Sequence, residues 1–378
     1  MTTKIVLLPD YQNPDGRSTM GRWTDSIYLR NRAELQAILN KHPLSDALRL
    51  LHAQQMDSGF IIDDLTAVRY FQCHGGDDAF FIGQYNPNRR LRFKGNGRVT
   101  PPEGVATKTT RSTKCFICHE NVGWQSRGVQ FYFLFDVNGN SYAALCNPFP
   151  FMPTHMTIAS TEHAPQSWHG KPEEELGKMT RIVTDLYDLA VKLPEWICFY
   201  NGVGAGASIE EHLHFQAFMS PAGHGLFPIQ HAARRIEQKA NESIGTPADD
   251  ISPSVLVVDT QHYPLTTFRI TGNRENTIRA TIGRMREWSN TVGNAASANL
   301  IAIHEKSQVT FYLVPRNYRY SRSAGLQGIV GGMEVMGEFI LSTPEEDAAI
   351  NSGEITFQRM WSILKGVNPP NVSRMTTH

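Results

Sequence analysis

The chain has 378 residues, 40% of them hydrophobic and 19% charged, and its 36 Lys and Arg balance its 36 Asp and Glu. That length points to two domains or one duplicated fold, and the balanced charge argues against an extended nucleic-acid or membrane surface. No apolar run approaches the ~20 residues that span a bilayer, and residues 5–9 are too short an apolar run for a secretory signal. Five cysteines, an odd number, fit a reducing compartment better than a disulfide scaffold, so a cytoplasmic location is expected.

Residues 31–56 have helical spacing (Leu35, Ile38, Leu39, Leu44, Ala47, Leu48, Leu51), with Pro43 splitting two helices. Residues 79–93 begin as a strand and turn at Asn86-Pro87-Asn88. Residues 95–113, rich in Gly, Pro, Thr and charge, read as a loop. Residues 129–146 form a hairpin about Asn138-Gly139-Asn140, and 156–160 (MTIAS) a short strand. Residues 172–193 read as an amphipathic helix. Pro172 opens it, acids follow at 173–175, and its stripe is Leu176, Met179, Ile182, Val183, Leu186, Leu189 and Ala190. A strand at 195–200 follows.

The second half repeats this grammar loosely. Strands are expected at 254–259 and 266–271, a helix at 274–290, and a hairpin of NLIAIHE with QVTFYLVPR. The expectation is a duplicated α+β fold, an antiparallel sheet with helices packed on it, the second half degenerate. Its divisions would be an N-terminal helical extension (1–78), a first half (79–245), a second half (246–365) and a tail (366–378).

Two constellations carry chemistry. In His212-Leu213-His214-Phe215-Gln216, residues two apart share one face of a strand, so His212, His214 and Gln216 would line one side. Two histidines at i and i+2 are more often surface or core residues. Here Gly202, Gly204, Gly206 and Ser208 lie just upstream, and glycine backbone approaches phosphate closely. The pattern suggests a histidine presented to a phosphate. The second constellation is Cys115-Phe116-Ile117-Cys118, half of a zinc site. Its other ligands must come from afar, with His119, His155, His163, His212 and Cys146 as candidates. A thioredoxin-like role is disfavoured because no βαβ unit surrounds the pair, and Cys73 and Cys198 read as ordinary interior or loop cysteines. Arg89, Arg90, Arg111, Lys114, Arg127, Arg316, Arg319 and Arg322 are each a solvated charge by default. Some of them could clamp phosphates, Arg316 foremost.

Taken together, CFICHEN (115–121), NPFPFMPTHMTIASTEH (147–163) and FYNGVGAGASIEEHLHFQ (199–216) resemble the nucleotidyltransferase branch of the histidine triad superfamily. That branch includes galactose-1-phosphate uridylyltransferase, diadenosine tetraphosphate phosphorylase and the GDP-hexose phosphorylases. The nearest likeness is to a bacterial family of this branch, which shares the QYNPNR-like stretch (84–89), the CFIC run, GAS-x-x-x-HxHFQ and an MExxGxxI-like stretch (333–340). The resemblance covers about residues 80–350.

The resemblance implies that each half is a histidine-triad-like unit. It makes His214 a nucleophile that forms a nucleotidyl-histidine, with Gln216 donating to the phosphoryl oxygens, and Gln here accompanies transfer and phosphorolysis rather than hydrolysis. Asn201, Gly206 and Ser208 would contact phosphates. Cys115, Cys118, His163 and His212 match a structural zinc site, with His163 preferred to His155 on the match of residues 157–163. The sequence departs in two places: Ser208 stands four residues before His212 rather than three, and Glu210-Glu211 replaces Asn-Pro. The expected function is transfer of an NMP group from a nucleoside diphosphate sugar or dinucleoside polyphosphate to phosphate or a sugar phosphate. The alternative is a non-catalytic, zinc-stabilised nucleotide sensor or scaffold. Relatives are often dimers, so a homodimer is one expected state; neither nucleic acid nor membrane is an expected partner.

Overall fold

Pro43 separates helix α1 (Asp25–Leu39) from α2 (Leu44–Asp57), since proline clashes within a helix but is tolerated before its first turn. Strands β1 (Arg69–His74) and β2 (Phe80–Tyr85) follow, then a 3₁₀ turn at Pro87–Lys94 and helix α3 (His119–Gln125). Strands β3 (Tyr132–Val137) and β4 (Asn140–Cys146) are joined by Asn138 and Gly139 at φ 51° and 77°, the left-handed pair of a tight hairpin turn. After β5 (Met156–Ser160), Pro172 and three glutamates open α4 (Pro172–Lys192). Strands β6 (Trp196–Asn201) and β7 (His214–Met219) precede α5 (Pro228–Ser243). Then come β8 (Ser254–Val258), β9 (Thr267–Thr271), α6 (Arg274–Val292), β10 (Ala296–Glu305) and β11 (Gln308–Asn317). The chain closes with α7 (Gly332–Met336), β12 (Glu338–Leu341), α8 (Pro344–Asn351) and α9 (Phe357–Val367). The fold is α+β. The computed structural model describes residues 25–61, 63–94, 115, 117–125, 130–243, 254–305, 308–320 and 330–376. The loop expected at 95–113 lies outside them.

The described residues form two compact units that do not follow chain order. One comprises those within Met1–Thr66, Leu91–Pro165 and Glu211–Met219. Its strands run in the order β3-β4-β5-β7, all antiparallel. Helix side chains satisfy the outer backbone of β3, which would otherwise be an open edge: Gln36 exchanges two hydrogen bonds with Leu134, at 2.8 and 2.9 Å. Just before β3, Gln55 Oε1 accepts from Phe131 N at 3.0 Å, and Tyr28 stacks on the Phe131 ring. Met156, Ile158, Phe215 and Phe218 are buried.

The other unit comprises Ala67–Arg90, Gln166–Glu210 and the described residues of Ser220–His378. Five of its strands run β6-β10-β11-β9-β8, and three form a separate sheet, β1-β2-β12, in which β12 lies parallel to β2. Trp288 of α6 is buried and donates its Nε1–H to Arg316 O at 2.7 Å, which fastens the helix to β11. Among the described residues no helix is long and apolar enough to cross a membrane.

Candidate active site and metal centre

Four side chains of the first unit converge. The Nδ1 atoms of His163 and His212 lie 3.3 Å apart, Cys115 Sγ is 3.3 Å from His212 Nδ1, and Cys118 Sγ is 3.3 Å from His163 Nδ1. All four donor atoms fall within 4.8 Å of one another. One tetrahedral ion with bonds of about 2.3 Å to sulfur and 2.0 Å to nitrogen reaches such a set. The chemistry fits a cation. His212 donates its Nε2–H to Ser160 O at 2.7 Å, so Nδ1 carries the lone pair. The Cys115 thiol is pulled down to about 3 by its hydrogen bond with Cys118, with His212 adding to the effect, which makes it a thiolate. A thiolate and a lone pair facing one another in a buried spot need positive charge between them. The remaining candidates lie elsewhere. His119 pairs with Glu120, Cys146 lies at the β4 end beside Met156 Sδ, and His155 contacts Gln216.

The expected strand begins at His214, later than the spacing suggested, because His212 turns its ring into this cluster. Its carbonyl also leaves the ladder and accepts the Nδ1–H of His214 at 2.8 Å. That bond puts the His214 lone pair on Nε2. The ring is 3% exposed, and burial pulls its pKa down to about 4, so the imidazole is neutral at pH 7. His214 and Gln216 share one face of β7, opposite Ala159 and Thr157 of β5. His155, fully buried and packed on Phe151, bonds Gln216 Oε1 through Nε2 at 2.9 Å. With the oxygen taken, the Gln216 NH₂ points the other way. From the sequence His155 is visible only as a possible metal ligand; its contact with Gln216 carries no sequence signal.

In the second unit Asn201 ends β6, and Gly204 and Gly206 follow at φ 69° and 96°. A Cβ at Gly206 would stand 2.3 Å from Gly331 Cα, so two glycine segments meet there. Ser208 is exposed, as is Glu210, whose Oε1 accepts from Gly204 N at 3.2 Å. Arg316 is not on the surface: it is fully buried and donates to Asn299 Oδ1 and Val330 O. Arg89 is buried, whereas Arg90 and Arg319 are exposed. Arg111, Lys114, Arg127 and Arg322 lie outside the described residues. The stretches 84–89 and 333–340 are joined by a buried group that periodicity does not signal. Glu338 accepts from Gln84 at 3.2 Å and pairs with His224 at 2.7 Å, and burial pushes its carboxyl up.

Residues 62–219 match the family described as a domain of unknown function, DUF4922. No curated protein matches the chain in sequence. Among solved structures, yeast Ap4A phosphorylase Apa2 in complex with AMP aligns with a TM-score of 0.51 at 13% identity, covering 85% of this chain and 97% of that one. The same enzyme in complex with Ap4A aligns at 0.48 and 12% identity over 84% and 97%. A uridylyltransferase structure aligns at 0.36 and 13% identity over 79% and 99%. The chain therefore shares the fold of yeast Ap4A phosphorylase Apa2, and its residues 62–219 match the DUF4922 family description.

Proposed function

We propose that this chain is a nucleotidyltransferase or phosphorylase that passes an NMP group through His214. The observation that carries this reading is a buried, neutral imidazole whose Nδ1–H is held by His212 O, leaving the lone pair on Nε2. Nε2 attacks the α-phosphorus of a nucleoside diphosphate sugar or dinucleoside polyphosphate. A P–N bond forms while the P–O bond to the leaving phosphate breaks, its electron pair departing on that oxygen. An oxygen of phosphate or a sugar phosphate then attacks the same phosphorus, and the P–N electron pair returns to Nε2. The proton stays on Nδ1, donated to the His212 carbonyl, throughout.

Gln216 donates to the phosphoryl oxygens. An amide cannot protonate a leaving group as an imidazolium can, so the reading favours leaving phosphates that depart as anions. Asn201, Gly206 and Ser208 are the proposed phosphate contacts, with Arg316 acting behind them. Cys115, Cys118, His163 and His212 are proposed to hold a structural zinc, which would fix His212 in place. The chain order β4-β5-α4-β6-β7, then β8-β9-α6-β10-β11, supports reading 79–245 and 246–365 as related halves.

Intact-protein mass spectrometry tests the proposal. The protein is incubated briefly with diadenosine tetraphosphate and with ADP-, GDP- and UDP-sugars, then quenched at alkaline pH because phosphohistidine is acid-labile. A gain of one NMP is expected with at least one donor, and its mass names the base. Nucleotide binding without adduct or turnover from any donor would instead support the sensor reading.

Two further outcomes follow from the geometry. Because burial holds the His214 pKa near 4, the nucleophile stays neutral down to that pH. The rate of adduct formation should stay level from pH 8 to about pH 5 and fall only below it; rapid-quench rates that halve near pH 6.5 would show an ordinary, solvated imidazole. His155→Phe keeps a ring against Phe151 but frees Gln216 to rotate. Its kcat should fall roughly 10-fold, the worth of one hydrogen bond of about 1–1.5 kcal/mol, and a kcat equal to wild type would show that Gln216 does not depend on His155.

A further inference from the structure

Behind Asn201 lies a buried relay. Arg316 Nη1 donates to Asn299 Oδ1 at 2.7 Å and to Val330 O at 3.0 Å. Asn299 Nδ2 donates to Asn201 Oδ1 and to Ala205 O, both at 2.7 Å. Arg316 and Asn299 are fully buried. Guanidinium is a donor only, so the oxygen of Asn299 must face it and the nitrogen must face Asn201. The oxygen of Asn201 must then face Asn299, which turns the Asn201 NH₂ away from the strand pair, toward Gly206 and Gly331. A Cβ placed on Gly331 would stand 3.7 Å from Asn201 Nδ2, 3.6 Å from Gly206 Cα and 3.5 Å from Glu334 Oε2. The amide therefore opens where two side-chain-free segments meet.

The relay also has a direction of charge. Burial lowers the Arg316 pKa to about 10, so it is still a cation at neutral pH. Its Nε and Nη2, and the nearby Ser297 Oγ opposite it in the β10–β11 register, are buried with no hydrogen-bond partner among the described residues. No carboxylate among the described residues pairs with it; Glu334 acts on it only through space. A buried cation without a bonded counter-ion costs several kcal/mol, and it attracts whatever anion arrives nearby. Hydrogen bonds in series polarise one another, so the guanidinium strengthens each donor in turn down to Asn201.

We infer that Arg316 and Asn299 are positioning residues for the phosphate contact: the buried guanidinium orients and polarises the Asn299 amide, which presents the Asn201 N–H to a phosphoryl oxygen. The inference rests on the proposed function and deepens it, because it assigns Asn299 a role and places Arg316 one step behind the substrate. The bonds to Ala205 O and Val330 O make the same relay the tie between the two glycine segments.

The test uses the full chain and the donor that gives the wild-type adduct, with active sites counted by adduct amplitude. Asn299→Asp still accepts from Arg316 but gives Asn201 no proton, so Asn201 should turn its nitrogen inward. The donor kcat/KM per active site should fall on the order of 100-fold, the scale of a hydrogen bond to a charged group. Arg316→Met should fall about 10-fold or more, and Arg316→Lys should recover most of that, since one Nζ can make both Nη1 bonds. Asn201→Ala combined with Asn299→Asp should lose no more than Asn201→Ala alone. If the variants only lower Tm and the countable fraction, leaving kcat/KM per site unchanged, the relay is structural and the inference fails while the proposed function stands. Should Asn299→Asp not fold, the Met and Lys pair at Arg316 decides. Absence of any adduct in the wild type removes the proposed function and this inference with it.

Discussion

In a His214→Ala variant the mass gain of one NMP is expected to vanish, and turnover to fall on the order of 10⁴-fold or more, as when other covalent nucleophiles are removed. The size of the effect follows from the route: without Nε2, neither His212 nor His155 is placed to take its role. His212 is turned into the metal cluster with its Nε2–H fixed on Ser160 O, and His155 bonds Gln216. The loss should not be one of folding. The substitution removes the hydrogen bond to His212 O and a buried ring, a change of a few kcal/mol. Thermal melting and nucleotide binding should therefore persist, with the adduct alone abolished. An adduct that survives in the variant would move the nucleophile to another residue. An adduct lost together with the melting transition would call for His214→Asn, which fills more of the space.

What could be read from the sequence was local. The β3–β4 hairpin is written in Asn138-Gly139, α4 in its proline, its acids and its 3.6-residue stripe, and the split between α1 and α2 in Pro43. The sheet β1-β2-β12 was not legible. Its strand β12 has four residues, all buried, and so no alternation, and its partner β2 lies some 250 residues away along the chain. The same boundary runs through the site. The CxxC pair and HxHxQ are short-range spacings whose chemistry can be named from residue types, and the resemblance pointed to His163. Strand β7 starts two residues later than the period-two pattern predicts, because the His212 ring belongs to the cluster. Asn299 carries no sequence signal and His155 reads only as a possible metal ligand, because an amide's orientation depends on a third group that only the folded chain brings near. Arg316 reads from the sequence as the foremost of several arginines that could meet a phosphate directly; its full burial places it behind the surface instead.

Metal removal should produce the second large effect, and on stability first. Elemental analysis of the purified protein is expected to give one zinc per chain. Chelation leaves the Cys115 thiolate, Cys118 and two imidazole nitrogens 3.3 Å apart with no cation between them. Cys115, Cys118 and His212 are buried, so water cannot take the metal's place cheaply. Structural zinc is worth on the order of 10 kcal/mol in apparent binding energy, which for a chain of this size corresponds to a Tm lowered by roughly 10–20 °C. Cys115→Ser should act in the same direction. A second consequence follows from His212, whose ring faces Cys115 in the cluster and whose carbonyl holds His214 Nδ1–H. Loosening the ring loosens the carbonyl, and the His214 lone pair is then no longer confined to Nε2. Adduct formation should accordingly slow in metal-free protein even below its own melting temperature, although the metal touches no substrate. Cobalt(II), which accepts the same tetrahedral set, should restore both Tm and adduct rate and report its geometry in the visible spectrum. Metal-free protein that keeps its Tm would refute the structural role. Metal-free protein that melts early yet forms adduct at the full rate while folded would sever the link through His212, leaving the metal a staple of the fold alone.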